Sequence, residues 1–493
     1  MPVSEPTTAR GRWTVLVICA SALFLVGLDT TIVTVGLGAI GRGLGVRAEQ
    51  LAWVVDAYTV TFASLLVTAG AVADRFGRRR VFQVGLVVFG AASLACALAP
   101  TPELLVAARV LQGVGASMLT PVALAIVVAA MPDPRERARA IGVWGSVFGL
   151  SMAAGPVTGG ALIAAFGWRA VFWINVPVVL VAIALVRALV PESRGARVRR
   201  LDLPGQVLLI GVLWVGVGVL IEGPRVGWGS PAALAGYVVF GVLVVVFVRV
   251  ETRRSEPLIE PGLFLVPSFA GAVVGAVAIF AAFSMTLFLA TLYLQGQGWT
   301  PVAAGAATLP MAVGATVCAP ISGYLVGRLG PRVPLLVAGG FLALGGGVLV
   351  VFGAAALFAA FGLIGVGVGF ANAPITNTAV GGLPADRAGV AGGTASTARQ
   401  VGTAVGVAVA GSLVAGVSAE GFAAAAAPGW WVVAGCGVVL LVVGSARTSA
   451  RRPARLPLGA DCPADHPVRV AAGAPRLGSR AIRLFRRRER VCE

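Results

Sequence analysis

The sequence predicts an all-α polytopic membrane protein with fourteen transmembrane helices, two six-helix pseudo-symmetric halves, a two-helix insert and both termini cytoplasmic. Three observations carry that expectation. Of 493 residues, 58% are hydrophobic and only 12% charged, roughly half the charged share of a soluble domain. Apolar runs of span length recur from end to end. The arginines between them alternate from one side of the bilayer to the other.

A helix crosses the hydrocarbon core with about 20 apolar residues. Such runs lie near 13–36, 51–73, 81–99, 103–131, 139–166 and 168–190, then 203–222 and 231–250. Six more follow at 268–295, 302–326, 332–353, 355–380, 394–418 and 428–446. The first is too long for a signal peptide, carries Asp29 and is followed by further spans. With the N-terminus inside, inner loops hold eighteen arginines and outer loops four, Arg42, Arg47, Arg169 and Arg225. An odd span count would scramble this alternation.

The expected organisation is therefore a cytoplasmic N-terminus (1–12), a six-helix half (13–190), a linker with inserted helices seven and eight (191–266), a second six-helix half (267–446) and a basic tail (447–493). The tail carries twelve arginines and no span-length apolar run. It is expected to be solvated and disordered. Anionic lipid is the partner its charge and tether fit, ahead of nucleic acid.

Composition excludes several chemistries. All 38 basic residues are arginine, so no P-loop or Schiff-base lysine exists. His466 is the single histidine and lies in the tail, which rules out histidine-based triads and multi-His zinc sites within the membrane. Six cysteines show no CxxC spacing and read as buried hydrophobes or solvated thiols. No enzyme, metal or cofactor is expected; a proton gradient is the energy source the remaining residues suit.

Two acids interrupt the apolar runs, Asp29 in the first and Asp56 in the second. A mid-membrane charge costs about 2.5–3.5 kcal/mol, so both are expected to face a cavity and carry protons. Arg109 in the fourth run, with Gln112 one turn on, is expected to bias such an acid or to neutralise it as an ion pair. Arg399 reads as a snorkelling side chain. The runs after 267 contain no acid, which places proton handling in the N-terminal half. Gly155-Pro156 and Gly159-Gly160 favour close helix approach and a bend. Trp53, Tyr58, Gln112, Asn372 and Asn377 are candidate cavity contacts, as polar or amphipathic groups within runs.

An internal repeat is visible. Gly70 to Arg79 after the second run and Gly323 to Arg332 after the tenth share Gly, Arg, Gly and Arg at matching offsets. Parallel six-helix repeats are a transporter architecture with the substrate between the halves.

These residues resemble the major facilitator superfamily. Gly70 to Arg80 is similar to its loop 2–3 signature, and Leu105 to Ser117 to its span 4 motif. Gly155-Pro156-Val157-Thr158-Gly159-Gly160 resembles the span 5 motif of proton antiporters. Leu28 to Val33, Trp168-Arg169 with Ile174 to Pro177, and Arg399 to Gly402 are similar to the fourteen-span drug:proton antiporter branch. The resemblance runs over residues 13–446 and implies proton-driven export of a small hydrophobic or amphipathic compound, such as a drug, antibiotic or secondary metabolite, by rocker-switch alternating access. By the same motifs Asp29 and Arg109 belong to proton coupling and substrate handling. Gly70, Asp74, Arg75, Gly77 and Arg78 form an inner-loop latch, and Gly155, Pro156, Gly159 and Gly160 an antiporter helix that limits leak. Two departures stand out: Thr34, Gly36 and Gly38 replace the usual Asn, Ala and Pro, and Gly327 stands where the first copy has Asp74. The expected setting is a monomer in a bacterial inner membrane. The alternative on the same fold is a facilitator or symporter importing a nutrient; the Gly155-Pro156 motif and the span count argue against it.

Overall fold

The computed structural model describes residues 8–46, 48–195, 201–254, 256–381, 385–418 and 421–446. The tail 447–493, Arg47 and the linker residues Arg197, Arg199 and Arg200 lie outside the described residues. Described secondary structure is helical throughout. In chain order the helices are α1 (Ala9–Leu44), α2 (Ala48–Phe76), α3 (Arg78–Leu98), α4 (Pro102–Ala130), α5 (Pro134–Phe166), α6 (Ala170–Trp173) and α7 (Asn175–Leu189). Then come α8 (Leu203–Val226), α9 (Pro231–Arg253), α10 (Pro267–Gly296), α11 (Pro301–Ala307) and α12 (Leu309–Leu329). The last four are α13 (Arg332–Phe352), α14 (Leu357–Val380), α15 (Ala385–Leu413) and α16 (Phe422–Ser445).

Among the described residues, eleven helical stretches are long and apolar enough to cross a membrane, the longest of them, Arg332–Val380, joining α13 and α14. Two of the predicted runs are broken. The sixth splits at Ile174 between α6 and α7, and the tenth at Thr308 between α11 and α12. Pro177 and Pro310 lie just beyond these breaks. A proline has no N–H to offer the preceding turn and its ring crowds that turn's carbonyl, so the helix is interrupted there. Five helix starts are capped by side chains: Thr101, Asp133, Asp202, Ser230 and Thr300 each accept a backbone N–H from the first turn.

Packing follows one scheme twice. In the first part α1 packs on α5, α2 on α4, and α3 on both α4 and α7; later α10 packs on α15, α12 on α14, and α13 on both α14 and α16. Two seams join the sets, α2 against α15 and α5 against α11 and α12. Helices α8 and α9 pair with each other, and α8 also lies on α2 and α15, along the first seam.

The second seam is close because its residues are small. A Cβ on Gly160 would sit 2.7 Å from the Cα of Val302, and one on Gly305 would collide with the Pro156 carbonyl. One on Gly155 would strike the Thr31 hydroxyl of α1, and one on Gly159 would lie 2.7 Å from the Ile32 side chain. Cys19, Cys96, Cys318 and Cys436 are free thiols within the helices.

Candidate transport site

The most polar point of the interior is built on Asp29. Its side chain is wholly buried, as is that of Arg109. Arg109 Nη1 donates to Asp29 Oδ2 at 2.6 Å, and Gln112 and Asn175 donate to Oδ1 at 2.8 and 3.0 Å. Ser93 Oγ accepts from the same two amides at 3.0 and 3.3 Å. Four helices, α1, α3, α4 and α7, thus converge on one carboxylate. Arg109 further donates through Nε to the Val54 carbonyl at 2.8 Å, and its guanidinium lies 4.2 Å from the centre of the Tyr58 ring. A buried pair is tolerated when its charges are matched and its remaining lone pairs and protons find partners; here Asp29 has three donors on its two oxygens, while Arg109 Nη2 has no acceptor among the described residues. Arg109 is the neutralising partner that the sequence allowed.

Asp56 has the opposite environment. It is fully buried, and neither carboxyl oxygen has a hydrogen-bond partner among the described residues. Its neighbourhood follows from the helix register. On α2, Ala52 meets Gly411 of α15, the Ala63 carbonyl accepts from Thr397, and Val67 meets Gly393. Residues four and seven apart share a face, so Asp56, four after Ala52 and seven before Ala63, lies in the stripe of α2 applied to α15. A charge left there without a partner carries the full desolvation cost.

Neither acid lines the narrow cavity that opens among α1, α2, α10 and α15. Gly27, Thr30, Thr31 and Thr34 line it from α1, and Val55 from α2. Phe280, Phe283, Ser284 and Leu287 face it from α10, and Gln400, Thr403 and Val407 from α15. No ionisable side chain is among them.

None of the five predicted cavity contacts lines this space. Tyr58 and Gln112 belong to the Asp29 cluster. Trp53 turns toward α8, stacking on Trp214 with ring centres 5.8 Å apart and donating to Glu222 at 2.9 Å. Asn372 is half-buried and Asn377 exposed on α14. Conversely, Ser93 carried no signal, and the α1 threonines only that of the motif at Leu28 to Val33 and the departure at Thr34, neither of which pointed to a cavity wall. Spacing carries one: 27, 30, 31 and 34 on α1, like 280, 283, 284 and 287 on α10, follow the i, i+3, i+4, i+7 pattern of one helix face.

At the α2–α3 junction Asp74 pairs with Arg78 at 2.8 Å, and Arg78 Nη1 donates to the Ala125 carbonyl of α4. Gly77 has φ +108°, a conformation that suits glycine, and the Glu192 carboxylate sits where its side chain would be. Glu192 also accepts from the Arg79 N–H at 2.9 Å. Arg75 is exposed and leans on its neighbour Phe76, and the space around Gly70 is open. These contacts lie within α2, α3, α4 and the segment after α7.

The profile of the Major Facilitator Superfamily matches residues 19–407. The chain is 37% identical over 411 residues to the Multidrug resistance protein Stp of Mycobacterium tuberculosis, covering 82% of this chain and 76% of that one. It is 38% identical over 421 residues to the Puromycin resistance protein pur8 of Streptomyces alboniger, covering 83% of each. With the Tetracenomycin C resistance and export protein of Streptomyces glaucescens it shares 37% identity over 420 residues, 82% of this chain and 77% of that one. Its fold is similar to that of a bacterial homologue of the human lysosomal transporter Spinster, with a TM-score of 0.60 at 16% identity over 89% of this chain and 96% of the other. The chain belongs to the Major Facilitator Superfamily, and is a multi-pass membrane transporter and not an enzyme.

Proposed function

We propose that the protein exports small drug-like organic compounds across the bacterial inner membrane in exchange for protons, by alternating exposure of the cavity between α1, α2, α10 and α15. One observation carries this reading: α1 and α2, which both line an uncharged cavity, each bury an acid, in contrasting environments. The named relatives, a multidrug resistance protein and two antibiotic resistance proteins, favour outward transport. Asp56 carries the proton, because a seam carboxyl without partners accepts the neutral form and must be hydrated to lose it. Asp29 and Arg109 form the hub through which α1 and α4 respond.

In this reading the chain has fourteen spans with both termini in the cytoplasm and acts as a monomer. The repeated pairing scheme supports two six-helix halves, with α8 and α9 as the insert. The Asp74–Arg78 junction serves as the inner latch, and the Gly155–Gly160 stretch keeps the α5 seam tight against leak. The basic tail meets anionic lipid at the inner leaflet.

Inside-out vesicles energised with a pH gradient test the mechanism. A transported compound should dissipate the gradient, and compound uptake should stop when an uncoupler is added. Uptake that continues unchanged with the gradient collapsed would remove protons from the mechanism.

A further inference from the structure

We propose that the compound held in this cavity is uncharged and presents hydrogen-bond donors, hydroxyl or amide N–H, on a ring system. The proposal rests on the efflux reading above and concerns what the same cavity selects.

Four of the five hydroxyl protons of the lining are already committed. Thr30 donates to the Val26 carbonyl at 2.8 Å, Thr403 to the Arg399 carbonyl at 3.1 Å, and Ser284 to the Thr403 carbonyl at 2.9 Å. Thr31 donates into its own helix at 3.3 Å to Leu28. A hydroxyl has one proton and two lone pairs, so these four side chains offer the cavity oxygen acceptors. Gln400 adds the decisive group: its Oε1 is buried and has no partner. An unpaired buried acceptor is costly, and a ligand that supplies the missing donor recovers that cost. Phe280 and Phe283 contribute the apolar faces on which a ring can lie.

Charge selects in the same direction. Asp29 is already matched by Arg109 and offers an entering cation little. Arg399, next to Gln400, bonds to Ser396 and Thr376 and has no carboxylate partner among the described residues. Asp56 lies in the stripe of α2 applied to α15 and does not line the cavity, so a cation there would be desolvated without a lining counter-charge and near the unmatched Arg399. A neutral, donor-bearing molecule avoids both penalties.

The test uses the full-length protein in inside-out vesicles and three scaffolds, a steroid, a flavan and an anthracyclinone. Each is supplied as polyhydroxy compound, O-methyl ether and quaternary ammonium derivative. At least one polyhydroxy compound should be moved outward, about tenfold more effectively than its ether, a ratio one hydrogen bond can supply, and in preference to the ammonium. Gln400→Leu, of similar volume, should collapse the alcohol-to-ether ratio toward one. Gln400→Glu should raise ammonium transport at the expense of the alcohol. If Gln400→Leu folds poorly, judged by size exclusion and Tm, Ser284→Ala should reduce the same ratio. Ammonium preferred by the wild type, or ether moved as well as alcohol, overturns the substrate class and leaves efflux standing. Failure to move any of the nine compounds counts against the efflux reading and the class together.

Discussion

Asp29 and Asp56 lie in adjoining helices and share complete burial, yet they predict opposite mutational outcomes. Asp29→Asn leaves Arg109 as a buried cation without its counter-charge. Breaking a buried pair costs about 3–5 kcal/mol, so its Tm should fall clearly, and Asp29→Asn/Arg109→Gln should regain much of it without regaining transport. Asp56→Asn resembles the neutral acid in shape, and its Tm should change little. It should bind compound but no longer consume the pH gradient. An Asp56→Asn protein as unstable as Asp29→Asn would show that Asp56 is charged and paired in the folded state. Both acids and Arg109 were legible in the sequence because a charge within an apolar run is conspicuous. The cavity was not: threonines and serines satisfy themselves on their own helix carbonyls at little cost, as Thr30 and Thr403 do, so they vary freely in membrane helices and signal only through spacing. Trp53 misled for the converse reason. Its ring and N–H suit a cavity wall and an interface with another helix equally, and α8 supplies both Trp214 and Glu222.

At the scale of elements, α5 makes two different close approaches one residue apart in function. Gly155 and Gly159 meet α1, whereas Gly160 and the Pro156 carbonyl meet α11 across the seam. Gly160→Val should therefore push α5 from α11 and let protons pass without compound, seen as faster gradient decay in vesicles before any substrate is added. Gly159→Val, which crowds Ile32 on the α1 side, should lower Tm with a smaller effect on that decay. Equal leaks would remove the distinction between the two faces. The helices themselves followed from apolar length. Their interruptions at Ile174 and Thr308 did not, since a proline near the middle of an apolar run bends one span or divides it depending on neighbours that sequence alone does not bring together.

For the molecule as a whole, α2 and α15 touch along their length, from Ala52 and Gly411 near one end to Val67 and Gly393 near the other. The alternating access proposed above requires one end of that line to part while the other holds. In a background with Cys19, Cys96, Cys318, Cys436, Cys462 and Cys492 replaced, Val67→Cys with Gly393→Cys should cross-link under oxidation, stop transport, and recover it on reduction. Undiminished transport by the cross-linked protein would mean that this end never opens.

The placement of α8 has a consequence for the surrounding lipid. Its side-chain bonds to other helices reach α2: Gln206 donates to the Ser64 carbonyl and accepts from Thr68, and Glu222 accepts from Trp53; against α15, among the described residues, it is packed. In the alternating access proposed above, parting of the α2–α15 line would carry α8 with α2 and leave on α15 a face for acyl chains to wet. Each turnover would then change the area of protein that hydrocarbon must cover. Pumping speed should accordingly respond to lateral pressure, slowing in bilayers whose tail composition resists that expansion, at constant proton gradient.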